Sequence, residues 1–333
     1  MTKKNHQNEI VKREYRKFLK HADRKADSTI RMCDKSILRF EAFTKYADFK
    51  TFDQKQAIAY KAHLNSLDLA LATVLSEVTK LKRFLKWLSR QAGYKTRINP
   101  DDVEYLNLSE RDERAANSAI EKDFPTLAMV RDVVVKMPSE TPIEKRNRAL
   151  VVCCALTGIR GGALISLKIK HFQRRRMMIV QNPREVKTKF GKVINSLILP
   201  IDDEFEAIFL EWIEYLEKTE LFTPNDPMFP KTAMSSDLAE GFRVDGLSRE
   251  HWRTTAPLRK IFETAFTNAA LPKYTPHLFR NMIVKEMYDR DLSIEAFKAW
   301  SMSLGHESAM TTLTSYGKLS LMDMLRLIRP KNT

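Results

Sequence analysis

Five residues spread over the second half of the chain could together act on a phosphodiester. They are Arg160 in Thr157-Gly158-Ile159-Arg160, His277 and Arg280 in Thr275-Pro276-His277-Leu278-Phe279-Arg280, His306 in Leu304-Gly305-His306, and Tyr316. Attack on a phosphodiester builds negative charge on the non-bridging oxygens, and the departing 5′-oxygen needs a proton. Without metal ions, guanidinium groups are the natural clamps, because their rigid fork matches phosphate geometry. A tyrosine hydroxyl can then serve as the protein nucleophile. Each piece alone is weak, since an arginine after a helix cap is usually an ordinary surface residue and His-x-x-Arg is a common pattern. Their order and combination carry the signal.

These residues need a scaffold, and the pattern of the second half predicts one. Helices are expected at about 126–136 and 144–157, the latter with Leu150, Val151, Cys154 and Leu156 buried. Gly158 is read as the end of that helix, turning the chain so that Arg160 points into a cleft; a short helix follows. Two strand-like runs, Met177–Gln181 and Val193–Pro200, are joined by a polar turn containing Gly191. An amphipathic acidic helix is expected at about 203–218, a long loop at 221–252, and helices from there to the C-terminus. His277 and Arg280, three apart in a predicted helix, share a face.

The first half reads as a small helical bundle over residues 9–92. Ile30, Cys33, Ile37 and Phe40 repeat at helical steps, and Thr51 with Gln54 is read as a capping box. A helix at about 73–92 carries the stripe Val74, Val78, Leu81, Leu85 and Leu88, with Gly93 as its stop. Its other faces bear Lys80, Lys82, Arg83, Lys86 and Arg90. Residues 94–125 are polar and are read as an interdomain linker. The expected division is 1–110 for a basic helical domain, 111–124 for the linker, and 125–333 for a second domain with a C-terminal tail helix. The fold class expected is mainly α with a small β-sheet (α+β).

Charge separates the halves. Residues 1–100 hold 23 Lys+Arg against 10 Asp+Glu, whereas residues 101–333 hold 34 against 32. So basic a first domain is the electrostatic footprint of a polyanion partner, DNA being preferred over a merely solvated face. At 333 residues with 43% hydrophobic and 30% charged content, two packed domains are expected. No run of about 18 apolar residues marks a membrane span. The basic N-terminus lacks the apolar segment of a secretory signal. Cys33, Cys153 and Cys154 lack zinc-type spacing, and a reducing cytoplasm with nucleoid association is the expected setting.

In order and local spacing these motifs resemble the tyrosine recombinase (phage integrase) family. The likeness rests on Thr157–Arg160, the Thr275–Asn281 block and the segment Leu304–Lys318, behind a basic helical domain. The resemblance implies an N-terminal core-binding domain and a catalytic domain that work without metal, ATP or other cofactor. It implies Tyr316 as the nucleophile forming a 3′-phosphotyrosyl bond, Arg160 and Arg280 on the scissile phosphate, His277 in acid–base chemistry, and His306 as a hydrogen-bond donor to the phosphate. The turn Val186–Lys192 matches the family's TKxGK pattern. That places the general acid for the leaving oxygen on Lys189, with Lys187 as the runner-up. It further implies double-stranded DNA attachment sites, a homotetramer on DNA from a monomer or weak oligomer when free, and room for an accessory DNA-bending protein.

Three departures point toward an integrase of a mobile element. Ala163 stands where many members carry a carboxylate, His306 and Tyr316 are ten residues apart, and Gly317-Lys318 replaces a frequent Tyr-x-His pattern. The tail beyond Tyr316 is apolar (Leu319, Leu321, Met322, Met324, Leu325, Leu327, Ile328) and is expected to dock on its own or a neighbouring protomer. Two other readings stay open: a type IB topoisomerase-like enzyme with the same chemistry, and a catalytically inactive DNA-binding regulator, which would have no need of Tyr316.

Overall fold

The apolar stripes of the first half become the inner faces of helices. The computed structural model describes residues 5–118, 123–188, 191–237, 241–290 and 292–306. The chain divides into two units, Met1–Ile120 and Glu121–Thr333.

In the first unit, α1 (His6–Lys17), α2 (Asp27–Phe43), α3 (Gln54–Ser66) and α4 (Leu71–Leu88) surround an aromatic core. The α4 stripe Val74, Val78, Leu81, Leu85 and Leu88 is buried, as are Ile30, Cys33, Ile37 and Phe40 of α2. Tyr15 meets Phe84 edge-on at 5.1 Å, and Phe40 meets Tyr60 edge-on at 5.0 Å, the geometry that aromatic quadrupoles favour. The cap of α3 differs from expectation. Asp53 accepts from the Gln56 amide at 2.8 Å, while Thr51 closes a 3-10 turn, because Asp53 is the residue immediately before the helix start. Helix α4 also stops at Leu88, and Gly93 turns the chain five residues later with φ +78°.

The stretch from residue 94 differs more. Tyr94, Ile98, Val103 and Leu106 are buried in the core of the first unit, and Asn99 caps a short α5 (Pro100–Glu104). Its polar composition reflects charges on the outer face of a packed segment rather than a linker. Helix α6 (Glu110–Asn117) follows, capped by Ser109 and with no residue buried.

The second unit is built around α8 (Pro142–Thr157), which is preceded by α7 (Leu127–Lys136). Thr141 and Glu144 form a reciprocal capping box at its start, with Pro142 in the first turn. From Ala149 to Thr157 every residue is buried, so α8 is the spine of this core. After it come α9 (Gly161–Leu164) and a three-stranded antiparallel sheet of β1 (Phe172–Gln173), β2 (Met178–Gln181) and β3 (Ile194–Leu197). The expected hairpin is thus β2 paired with β3, Ile179 opposite Ser196. Helix α10 (Asp203–Lys218) packs on α8, and its Phe209 meets Phe172 at 5.1 Å.

Residues 221–252, expected as a loop, contain a second hairpin of β4 (Thr232–Asp237) and β5 (Gly241–Leu247). Met234 and Val244 on it are more than half exposed, so these two apolar residues do not mark an inward face in the sequence. Helices α11 (Ala256–Asn268), α12 (Phe279–Asp289) and α13 (Ile294–Ser303) complete the described part. Among the described residues no helix is long and apolar enough to cross a membrane.

Candidate active site

Helix α8 delivers the first motif. It ends at Gly158, whose φ of +58° is left-handed and favours glycine. A Cβ placed there would come within 2.6 Å of Leu304 Cδ2 and 3.1 Å of Ile283 Cδ1. The absence of a side chain is therefore what lets the Thr157–Arg160 turn close on α12 and the end of α13. Arg160 then occupies the N-cap position of α9 in extended conformation, half-buried, and its carbonyl accepts the amides of Ala163 and Leu164.

Arg280 lies in the first turn of α12 and is only 1% exposed. Its Nη1 donates to the Gly158 carbonyl at 2.7 Å, and its Nη2 donates to the Leu304 carbonyl at 2.6 Å and to His306 Nε2 at 2.7 Å. One guanidinium thus ties together three motifs that are far apart in sequence. Because a guanidinium can only donate, His306 Nε2 accepts and the neutral ring carries its proton on Nδ1. Burial first, then the charges of Arg280 and Arg160, push the His306 pKa down to about 4. Gly305, at φ +76°, fits beneath Ile194 of β3, where a Cβ would fall within 2.9 Å.

His277 sits in a 3-10 turn, Pro276–Leu278, ahead of α12 rather than in the helix with Arg280. It is exposed while Arg280 is buried, so the one-face expectation does not hold in its simple form. The difference follows from Pro276, which opens the segment as a tight turn. Lys189 and Tyr316 lie outside the described residues. Lys187 is exposed, and its amide donates to Ser166 Oγ at 2.9 Å.

Sequence reasoning passed over the residues that hold this turn. Glu185 Oε1 accepts from Lys170 Nζ at 2.7 Å and from Lys168 Nζ at 3.3 Å. The Lys168 amide donates to His171 Nδ1 at 2.9 Å, which leaves His171 to donate through Nε2 to Glu185 Oε2 at 3.2 Å. The Lys170, His171 and Lys168 contacts hold the Glu185 carboxyl down at about 2. His251 completes the surroundings, its Nδ1 3.2 Å from the Ile165 carbonyl and its pKa lowered by burial. Glu185 meets its partners across 14 to 17 positions, and no local pattern announces those contacts.

The basic face of the first unit is also more structured than its composition suggested. Glu104 takes Lys82 on Oε2 at 2.6 Å and Lys86 on Oε1 at 2.5 Å, and these two partners pull its pKa to about 2. Arg83 pairs with Asp23, and Lys80 donates to Ser76 Oγ at 2.6 Å. Arg90 is exposed.

Residues 126–321 match the family model described as the phage integrase family. The chain belongs to that family. Tyrosine recombinase XerC of Lacticaseibacillus casei (strain BL23) is 27% identical to this integrase-family chain over 128 residues. That match spans 37% of the chain and 40% of XerC, well under half of the relative's length. In fold, the chain is similar to a lambda integrase (75–356) dimer bound to a COC′ core site, with TM-score 0.64 and 14% identity. It covers 94% of this chain and 99% of that one. The Tn1549 transposon integrase in complex with circular intermediate DNA aligns with TM-score 0.61 and 14% identity, over 96% and 99% of the two chains. The fold of this family member is accordingly mostly helical with small antiparallel sheets, the class expected from the sequence.

Proposed function

We propose that this chain is a site-specific DNA recombinase that cleaves and rejoins DNA through a 3′-phosphotyrosyl intermediate, in the integration or excision of a mobile element. The observation that carries the reading is the Arg280 guanidinium. Buried, and held by the Gly158 and Leu304 carbonyls and by His306, it gathers the motifs of three separate segments around one positive charge. A phosphate is the ligand for which two arginines and an imidazole make a cradle.

In this reading Arg160 and Arg280 grip the scissile phosphate and stabilise its pentacoordinate transition state. Tyr316 Oη forms the bond to phosphorus as the bond to the 5′-oxygen breaks. The electron pair leaves on that oxygen, which Lys189 protonates. His277 serves acid–base chemistry from its exposed turn, taking the proton that the Tyr316 hydroxyl gives up on attack, and His306 donates to a phosphate oxygen. An arriving phosphodiester monoanion offsets the arginine charges that, after burial, help keep the His306 ring neutral, so donation becomes easier once DNA is bound. Lys80, Lys82, Arg83, Lys86 and Arg90 contact phosphates of the flanking duplex, a tetramer assembles on paired attachment sites, and an accessory bending protein is compatible with it. Similarity to the transposon and lambda integrases supports this reading at the level of fold.

The test is a suicide substrate nicked next to the scissile phosphate, on which the protein should be trapped covalently. Tyr316→Phe should bind the same DNA and give no adduct. An adduct at full yield in that variant would remove Tyr316 from the mechanism.

A further inference from the structure

We propose that Glu185 is a positioning residue for strand cleavage, fixing the turn between β2 and β3 relative to Arg160. This rests on the recombinase reading, in which a lysine of that turn protonates the leaving oxygen. Three observations carry it.

The first is the mode of attachment. A lone exposed ion pair holds little, because it is solvated and its partners are flexible. Glu185 instead uses both carboxylate oxygens on three donors, Lys170, Lys168 and His171. One of these, His171, is 5% exposed, and its tautomer is fixed by the Lys168 amide. A buried donor of fixed tautomer gives the carboxylate a direction as well as a charge. The second is place. Only the buried Val186 separates Glu185 from Lys187, and Lys189 follows two residues later. A shift at Glu185 reaches Lys187 through a single intervening residue. The third is continuity with Arg160. The Lys187 amide is held by Ser166 Oγ, which in turn donates to the Ala163 carbonyl of α9 at 2.8 Å. Arg160 caps that same helix. Glu185 therefore anchors one end of the turn to the segment after α9, and Ser166 anchors the next residues to α9 itself. At position 163, where many family members carry a carboxylate, this chain has alanine. The carboxylate that organises this region comes from Glu185.

Removing the Glu185 carboxylate leaves Lys168, Lys170 and His171 without their shared anion and loosens the turn. A misplacement on the order of one ångström is enough to lower a rate about a hundredfold. The experiment is single-turnover cleavage by the full chain on two substrates, ordinary DNA and DNA with a 5′-bridging phosphorothiolate, whose sulfur leaves without needing a proton. Glu185→Ala should be slow on ordinary DNA and close to wild type on the sulfur substrate, following Lys189→Ala. Glu185→Gln, which keeps the shape and one acceptor oxygen, should show the same pattern more weakly, and its ratio of rates decides the matter if the alanine variant unfolds. Equal slowing on both substrates, with the lysine variant rescued, would overturn the proposal, because the defect would then lie in phosphate binding or folding. Failure of both Lys189→Ala and Lys187→Ala to be rescued would overturn the underlying general-acid reading, and the role of Glu185 with it.

Discussion

Two clusters of positive charge in this molecule are held in opposite ways. In the second unit Arg280 is buried, and its position is set by two carbonyl oxygens and an imidazole nitrogen. Those acceptors orient the guanidinium without cancelling its charge. In the first unit Lys82, Lys86 and Arg83 lie at the surface and are met by carboxylates, Glu104 and Asp23. Carbonyl dipoles preorganise a charge for an incoming anion, because they orient it without neutralising it. Carboxylates keep a basic surface quiet until a polyanion competes them away. One cluster is built for geometry, and the other for exchange.

The sharpest way to break this contrast is to remove one arginine at a time. Arg280→Ala should slow covalent adduct formation about a hundredfold to a thousandfold. It should also destabilise the fold, since the buried Gly158 and Leu304 carbonyls lose their donor at about 1–3 kcal/mol each. Arg160→Ala should give a comparable rate loss, about a hundredfold, with a denaturation midpoint near wild type, because Arg160 is only half-buried. Single-turnover cleavage with urea unfolding separates the two. If Arg280→Ala unfolds at the wild-type midpoint, the carbonyl cradle is not what holds this site together.

Gly158→Ala probes the same cradle from the backbone side, with a smaller effect. A left-handed conformation and a 2.6 Å approach to Leu304 Cδ2 both oppose the methyl group. Strain of about 1–3 kcal/mol is expected, and cleavage should fall because the Gly158 carbonyl that receives Arg280 shifts. Unchanged stability and rate would mean that the turn relaxes freely.

How far the sequence foretold this contrast depends on the range of the contacts. The motif residues were legible because their types and order are chemical requirements. The stripes of α2 and α4 were legible because one-sided burial imposes helical periodicity, and α8 was legible as a continuous apolar run because its C-terminal half is buried all round. Gly158 was readable as a helix end, yet its closeness to Leu304 and Ile283 is tertiary. Glu104 sat in a stretch whose charges suggested a linker, while Ile98, Val103 and Leu106 were too sparse to announce a packed segment. The β4–β5 hairpin leaves its apolar residues Met234 and Val244 exposed, so they print no alternation. Glu185 stood among basic residues with nothing to mark its pairing with His171, since that contact exists only once β2 returns alongside the segment after α9.

The neutral acceptor in the Arg280 cradle gives the contrast a pH signature. His306 has its pKa pushed down to about 4 in the folded chain, below the ordinary histidine value of 6.5. The unfolded chain therefore takes up a proton as pH falls below about 6.5, while the folded one resists until near pH 4. Stability contributed by neutral His306 is present above that upper value and declines through the window down to pH 4. Unfolding free energy measured by urea at pH 7 and pH 5 should fall more for wild type than for His306→Gln, after the same subtraction for the other histidines. An equal fall in both would mean that His306 is not held neutral. Between pH 7 and pH 5 the surface cluster should contribute little, because Glu104, ordinarily at 4.5 and held down to about 2 in the folded chain, loses its contribution only as pH falls through that lower range.

The smallest effect concerns that surface cluster and separates exchange from geometry most directly. In Glu104→Gln the lysines lose their internal anion and gather solution counterions instead. If Lys82 and Lys86 contact phosphate, DNA binding then releases those counterions, which adds to the dependence of affinity on salt. The slope of log affinity against log salt should steepen by up to about one unit per lysine newly engaged. At low salt the variant should bind a few times more tightly, and at high salt the difference should vanish. Neutralising Lys82, Arg83 and Lys86 together should move the slope the other way. Cleavage of saturated DNA should be unaffected by Glu104→Gln, because the face acts on association alone. A slope unchanged in both variants would mean that this face does not meet the duplex, and that the excess charge of residues 1–100 acts through other lysines and arginines. A steeper slope with slower chemistry would mean that the two clusters are coupled, and the division between exchange and geometry would fail.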